Sequence, residues 1–239
     1  MYAVKLGKIH LLHAADGRRL VGWVAIIGAL LGWINVGLYI AATGGDFSVV
    51  FKPEVFLALP SQAHNYFHSA MVLDTLGFYL PFLIVGGYLG ALLRNEHGTV
   101  IDMATLCIVI YVVMGIAGAS ILFATVSPLA AMHSAGDPLS KAASEAAWLV
   151  VANATQHGLW VMEGPVMAFW GLTIGSAMRA SQMPYGRLLM AVGVCYAGGF
   201  VAGVLGLSQL AEVIQMVFIV LLPLWALLTG VALLRQRVC

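Results

Sequence analysis

Long apolar stretches dominate the chain, and the polar residues are collected between them. A helix needs about 20 predominantly apolar residues to cross the hydrocarbon of a bilayer. The stretches show none of the apolar and polar alternation that is typical of strands. We therefore predict a bundle of six transmembrane helices, over residues 20–41, 68–93, 103–126, 159–178, 188–207 and 211–234.

A further helix is predicted in the loop before the fourth span. Asp137-Pro138 is a favourable helix start, because Asp caps N-termini and Pro fits the first helical position. The segment from there to Met178 is too long for one straight crossing, and Gly158 and Gly164-Pro165 are the candidate break points. The sequence thus predicts an outer amphipathic helix over about Pro138–His157 that leads into the fourth span.

Composition supports an all-α integral membrane protein. Of the 239 residues, 62% are hydrophobic and 9% are charged, and the formal net charge is +1. Soluble domains carry about 25% charged residues, so this chain has too little polar surface for water. The composition excludes a soluble enzyme, a nucleic-acid binder and a disordered chain. We expect one transmembrane domain over residues 1–239, with the lipid bilayer as its first partner.

The positive charges give an orientation, because Lys and Arg near span ends collect on the cytoplasmic side. Of the 11 Lys and Arg residues, only Lys52 and Lys141 fall in loops on the other side. Both termini are therefore predicted to be cytoplasmic. The residues on that side are Lys5, Lys8, Arg18, Arg19, Arg94, Arg179, Arg187, Arg235 and Arg237.

Polar and ionisable side chains within spans are functional candidates, since their burial in hydrocarbon is costly. Counted along the helices from the cytoplasmic ends, Asp74, Glu163 and Glu212 all fall in the outer half. Polar residues of the long fourth helix recur at a spacing that places them on one face. We expect an outer-facing polar chamber walled by spans two, four and six. Its candidate ligand-binding residues are Asp74, Asn153, Gln156, Trp160, Glu163 and Glu212.

Three histidines are candidate metal ligands. His64 and His68 are four residues apart, a spacing at which two imidazoles on a helix can share a ligand, and His157 is near the predicted chamber. Imidazoles mixed with carboxylates suit Zn, Cu, Fe or Mn better than Ca, and they bind protons equally well. A structural role is the alternative for His64 and His68, as interfacial residues where span two leaves the membrane.

The acids also have structural alternatives. Asp74 can pair with a polar residue of a neighbouring helix, such as Asn35 or Thr173. Glu212 is in the first turn of its helix, where the helix dipole favours a carboxylate. Glu163 has no cation at its depth, so it must be protonated, hydrogen-bonded or bound to a ligand.

A resemblance agrees with this architecture. The segment Leu73–Gly77 of span two and the C-terminal stretch Phe169–Arg235, with its Gly-rich span and its outer Glu, resemble a set of six-span bacterial membrane proteins catalogued as a domain of unknown function. The resemblance implies a six-helix bundle in the bacterial inner membrane. It implies no activity.

The leading hypothesis is therefore an inner-membrane protein that binds a small ligand or metal ion in the outer chamber. One alternative is a haem-binding electron-transfer subunit with His68 and His157 as axial ligands. Another is a non-catalytic accessory subunit of a larger complex, or a homo-oligomer, favoured by small-residue seams such as Gly28-x-x-x-Gly32. The chain has no phosphate-binding glycine loop, no His-Glu-x-x-His and no nucleophile elbow, so the sequence assigns no reaction.

Overall fold

A computed structural model describes the backbone of residues 2–135 and 137–235 and the side chains of residues 17–135 and 137–235. The described chain is helical and contains no strand. The side chains of Lys5, Lys8 and Arg237, used above for orientation, lie outside the described residues. The α-helices are α1 (Tyr2–Thr43), α2 (Pro53–Phe56), α3 (Ser61–Asp74), α4 (Leu80–His97), α5 (Thr99–Ser134), α6 (Pro138–Ala152), α7 (Trp160–Ala180), α8 (Gly186–Val204) and α9 (Ser208–Arg235).

Three shorter elements complete the chain. A 3-10 helix covers Phe47–Phe51. The first π segment, Thr75–Tyr79, joins α3 to α4, and the second π segment, Asn153–Leu159, joins α6 to α7. Each π segment continues the helix on both sides, so α3–α4 and α6–α7 are two long, continuous helices.

Five helical stretches are long and apolar enough to cross a membrane. They are Gly17–Thr43, Ser61–His97, Thr99–Ser134, Gly186–Val204 and Ser208–Arg235. The predicted fourth span corresponds to α7, which is not among these five because Glu163, Gly164 and Pro165 lower its hydropathy. The structure thus gives an all-helical protein of the membrane-spanning type.

The long helices form a ring. In order around it, α1 packs on α3 and α4, α4 on α5, α5 on α7, α7 on α8, α8 on α9, and α9 returns to α1. Short connections make sequence neighbours antiparallel, so the ring has two ends. We call the end with the α4–α5 and α7–α8 connections the turn end, and the end where α1 stops and α3 begins the cap end.

A cap of short elements covers the cap end. It consists of residues 47–56 and α6, which share a hydrophobic cluster with α3 and α5. The Trp148 indole Nε1 donates a 2.8 Å hydrogen bond to the Val50 carbonyl oxygen, and the Trp148 ring stacks on Phe56 at 4.6 Å. These contacts hold the 3-10 helix and α2 against α6.

Two helices run further than the sequence predicted. The third span was expected to end at residue 126, but α5 continues through Pro128 to Ser134, because its last turns pack on the cap. The helix expected over about Pro138–His157 is found as α6 followed by the second π segment, which leads past Gly158 into α7, and α7 continues through Pro165. The cap holds the last turns of α5 despite Pro128. Packing against α5 holds the second π segment and α7 despite their glycine and proline residues.

The glycine seam of the first span is used inside the chain. Gly28 faces the Pro81 ring, and Gly32 meets Gly77 of the first π segment backbone to backbone. No side chain larger than hydrogen fits at Gly77, which lets α1 approach the π segment closely. The seam therefore packs α1 within this fold.

Candidate functional site

A cavity of about 890 Å³ lies inside the ring near the cap end. Its walls come from α1, α3, the first π segment, α5, the second π segment, α7, α8 and α9, with the 45–51 loop at its mouth. Sites for small molecules are typically of about 300–1,000 Å³. The cavity is therefore large enough for a small organic ligand.

The backbone around the first π segment places Asp74 at the cavity. Asp74 is the last residue of α3, and the Leu80 amide beyond the segment donates to the Thr75 carbonyl, five residues back. Pro81 has no amide hydrogen for the Gly77 carbonyl, so an ordinary helical turn would lose a hydrogen bond here. The wider π turn accommodates Pro81, and such turns are frequent at functional sites.

The Asp74 carboxyl group is buried and only partly paired. Its side chain is 8% exposed, and its Oδ1 accepts a 3.1 Å hydrogen bond from Asn35 Nδ2 on α1. Its Oδ2 has no hydrogen-bond partner among the described residues. One carboxylate oxygen is therefore buried without a hydrogen-bond partner among the described residues.

The second π segment lies one turn before Glu163. The Trp160 amide donates to the Thr155 carbonyl, five residues back, and Glu163 follows one turn later. Glu163 is 4% exposed, and its Oε1 has no hydrogen-bond partner within the described chain. Asp74 thus directly precedes the first π segment, Glu163 follows the second, and both acids line the same cavity.

A cluster of tyrosines surrounds the two acids. The Tyr79 hydroxyl is close to both the Asp74 and the Glu163 carboxyl groups and can donate a hydrogen bond to either acid. The Tyr79 and Tyr111 rings are 5.1 Å apart, and Tyr196 meets Tyr111 edge-on at 6.2 Å. The Tyr111 hydroxyl donates a 3.1 Å hydrogen bond to the Phe78 carbonyl oxygen within the first π segment.

None of these three tyrosines was predicted as a site residue, although the sequence contains a signal for them. Tyrosine is enriched at membrane interfaces, and a buried hydroxyl needs a partner. Tyr111 and Tyr196 lie well inside apolar stretches, and Tyr79 is in the middle of the second predicted span. Their positions indicate a polar environment within the bundle.

The cavity is acidic and aromatic. Four carboxyl groups line it, those of Asp46, Asp74, Glu163 and Glu212, and no Lys or Arg is among the described residues that line it. Ten Phe, Tyr and Trp side chains contribute to the same wall. Asp46, at the mouth, is paired with Lys52 at 3.2 Å. Hydrogen bonds from the Ser48 hydroxyl and from Lys52 hold the pKa of Asp46 below its ordinary value.

The structure brings most of the predicted ligand-binding residues to this cavity. Asn153 is the exception, since its Nδ2 donates to the Leu149 carbonyl at 2.8 Å and its Oδ1 contacts His157 Nδ1 at 2.9 Å. Asn153 is thus exposed beside His157, one turn before it, and stays outside the cavity lining. The predicted residues that line the cavity are Asp74, Gln156, His157, Trp160, Glu163 and Glu212.

The structure does not support the predicted metal site at His64 and His68. His64 is buried, with its Nε2 2.9 Å from the Phe56 carbonyl oxygen of the cap, and neither histidine lines the cavity. The His68 ring stacks on Phe123 of α5 at 3.6 Å. Each imidazole is thus held by a neighbour that four-residue spacing alone does not reveal.

His157 is separate from those two histidines. It lines the cavity mouth and stacks on Phe51 at 4.3 Å. The described residues contain no group of three or more His, Cys, Asp and Glu placed to hold a metal ion. His68 and His157, the pair expected as haem ligands, therefore lie in different surroundings, one against α5 and one at the cavity.

Comparisons with known proteins identify no relative of this chain. No family model, no curated protein and no solved structure matches this chain. The fold and the cavity define an all-helical, membrane-spanning class of protein, and its function has to be argued from the site.

Proposed function

We propose that this chain is a six-span membrane protein that binds a small organic ammonium ion in the cavity, with Asp74 and Glu163 as its counter-charges. The observation that carries the proposal is the pair of buried acids facing an aromatic cavity whose described lining has no Lys or Arg. The ligand predicted from the sequence, a small molecule or a metal ion, is thereby narrowed to an organic cation.

The charge of the cavity favours a cationic ligand. An ionised carboxylate away from water costs free energy unless it is paired. None of the ion pairs among the described residues includes Asp74, Glu163 or Glu212. A bound cation would offset that cost, and the free oxygens of Asp74 and Glu163 would contact it.

The aromatic wall favours an organic cation over a metal ion. Ammonium groups bind over the faces of Tyr, Trp and Phe rings, and aromatic cages for quaternary ammonium work in this way. A transition metal needs several N, O or S ligands at short distance, and the described chain offers no group of three such side chains. Tyr79, Tyr111 and Tyr196 are among the aromatic residues that line the cavity with the two acids.

The membrane arrangement belongs to the same proposal. Helix α7 is 21 residues long, about 30 Å as a helix, and would form the fourth span despite its lower hydropathy. Its buried residues include Glu163, Met167 and Trp170, so neighbouring helices rather than lipid would surround its polar face. The turn end and both termini would then be cytoplasmic, and the cap would lie on the outer face of a bacterial inner membrane.

Binding to purified protein in lipid nanodiscs tests this function. Choline and tetramethylammonium are compared with 3,3-dimethyl-1-butanol, a neutral isostere of choline, by isothermal titration calorimetry. We expect the cations to bind at least tenfold more tightly than the neutral isostere. Equal affinity, or no binding by any ammonium ion, would overturn the proposal.

Matched variants locate the binding to the cavity. Asp74→Asn and Glu163→Gln should each weaken ammonium binding at least tenfold. Asp102→Asn and Glu54→Gln are the controls, since Asp102 pairs with Arg94 at the turn end and Glu54 is exposed on α2, both outside the cavity lining. Similar losses in all four variants would contradict a site at the two buried acids.

A further inference from the structure

Helix α9 packs into the ring along only part of its length. All of its buried residues lie at or beyond Leu222, and residues 208–221 contribute none. Toward the turn end, Gly230 meets α1 so closely that a Cβ there would come within 2.7 Å of the Gly22 carbonyl oxygen. The contact reaches as far as Gly32, where a Cβ would lie 3.4 Å from the Pro223 ring.

Beyond Pro223, toward the cap end, the two helices stand on either side of the cavity. Val36 and Tyr39 of α1 line it, as do Met216 and Ile219 of α9. Proline inside a helix removes a backbone hydrogen bond and permits a bend, and Pro223 lies where the close packing ends. We call the part of the cavity wall between residues 36–39 and residues 208–219, where α9 buries no residue, the α1–α9 opening.

The α1–α9 opening has apolar residues at its rim beside the exposed Glu212 and Gln215, and it has the two buried acids in its depth. Met216 is 37% exposed and its neighbour Val213 is 62% exposed, and both also line the cavity. Both helices are long and apolar enough to span a membrane, so the gap between them would face hydrocarbon. A ligand that occupied it would meet lipid at the rim and the two buried acids inside.

We propose that the α1–α9 opening admits the hydrocarbon chain of an amphiphilic ammonium ligand, whose head group binds at Asp74 and Glu163 while its chain extends between α1 and α9. This inference rests on the proposed function and names its substrate class as a single-chain lipophilic amine or quaternary ammonium. Charge complementarity selects the head group, and the continuity of the cavity with an apolar gap selects the chain. A closed site of the same volume would instead limit the length of the chain.

A series of alkyltrimethylammonium ions with chains of one, four, eight, twelve and sixteen carbons tests the inference. Binding is measured in nanodiscs and corrected with the Asp74→Asn/Glu163→Gln protein, which accounts for partition into lipid. Transfer of one methylene out of water corresponds to up to about fourfold in affinity. We expect affinity to rise through the sixteen-carbon chain, and a plateau or a decline beyond eight carbons would overturn the opening.

Bulky substitutions at the rim provide a second test. Val36→Trp and Met216→Trp should weaken binding of octyltrimethylammonium at least tenfold more than binding of tetramethylammonium. Leu106→Trp is the control, since Leu106 is 64% exposed on α5 and lies outside the cavity lining. Equal losses for both ligands, or the same loss in the control, would overturn the inference.

The two proposals fail in different ways. If tetramethylammonium binds but longer chains bind no more tightly, the α1–α9 opening is wrong and the cation site stands. If no member of the series binds, the cation site and the opening are both overturned.

Discussion

Asn35 of α1 and Asp74 of α3 are joined by a 3.1 Å hydrogen bond from the Asn35 amide nitrogen to the Asp74 Oδ1. The bond connects the first helix to the residue directly before the first π segment. Neither Asn35 Oδ1 nor Asp74 Oδ2 has a further partner among the described residues. Asn35 therefore orients the carboxyl group through one oxygen, and the second oxygen is left without a partner among the described residues.

The first prediction concerns the energy of this contact. Asn35→Ala should lower the free energy of unfolding by about 1.5–3 kcal/mol, because it removes a hydrogen bond to a charged acceptor and leaves Asp74 buried alone. Asp74→Ala in the Asn35→Ala background should cost less than it does in the parent protein. A double-mutant cycle of denaturant unfolding in detergent micelles measures the difference. Additivity within about 0.3–0.5 kcal/mol would show that the two side chains are not coupled.

A second prediction concerns the tight contact between Gly115 and Tyr79. A Cβ at Gly115 would overlap the Tyr79 ring, which the cluster around both acids fixes in place. Gly115→Ala should therefore lower the free energy of unfolding by about 1–3 kcal/mol through overpacking. It should also weaken ammonium binding, since Tyr79 must move.

Gly87→Ala is the matched control for Gly115→Ala. Gly87 is in α4, and a Cβ there meets nothing within 4 Å. Alanine favours a helix over glycine by about 0.5–1 kcal/mol, so this variant should keep or gain thermal stability. Two equally destabilised variants would indicate a general intolerance of alanine rather than a contact with Tyr79.

A third prediction tests the hydrogen bond from Tyr111 to the first π segment. Tyr111→Phe removes the donor to the Phe78 carbonyl and should cost about 0.5–1.5 kcal/mol in the free energy of unfolding. Tyr185→Phe, at an exposed position between α7 and α8, should change it by less than about 0.5 kcal/mol. Equal thermal shifts in the two variants would mean that the π segment does not depend on Tyr111.

The helical class and the long apolar helices could be predicted because apolar length is a strong signal for helices that cross hydrocarbon. Helix ends were less predictable, since the last turns of α5 are held by the cap, whose packing is a tertiary effect. The low hydropathy of α7 is likewise explained by tertiary packing. Its Glu163 and Gly164 are buried against other helices, so composition alone does not describe their surroundings.

The candidate site divides in a similar way. The buried acids could be chosen from sequence because an ionisable residue in an apolar stretch has few acceptable places. The fate of His64 depends on the Phe56 carbonyl, which belongs to a cap element that no helical spacing predicts. The two π segments could not be anticipated either, because face assignments assume 3.6 residues per turn.

The last prediction concerns the cost of keeping Glu163 in the empty protein. Its Oε1 is buried without a hydrogen-bond partner among the described residues, and such a group costs about 1–3 kcal/mol. Glu163→Met keeps a side chain of similar length without polar oxygens. It should therefore raise the thermal stability of the ligand-free protein while it abolishes ammonium binding.

Thermal unfolding in detergent, followed by intrinsic fluorescence, measures this gain, with Glu54→Met as the control. Glu54 is exposed, so its replacement should change the free energy of unfolding by less than about 0.5 kcal/mol. A lower melting temperature for Glu163→Met would mean that the carboxyl group already has a stabilising partner in the empty protein. The Glu163 carboxyl group would then not be available to a cation, and the argument for a ligand at Glu163 would fail.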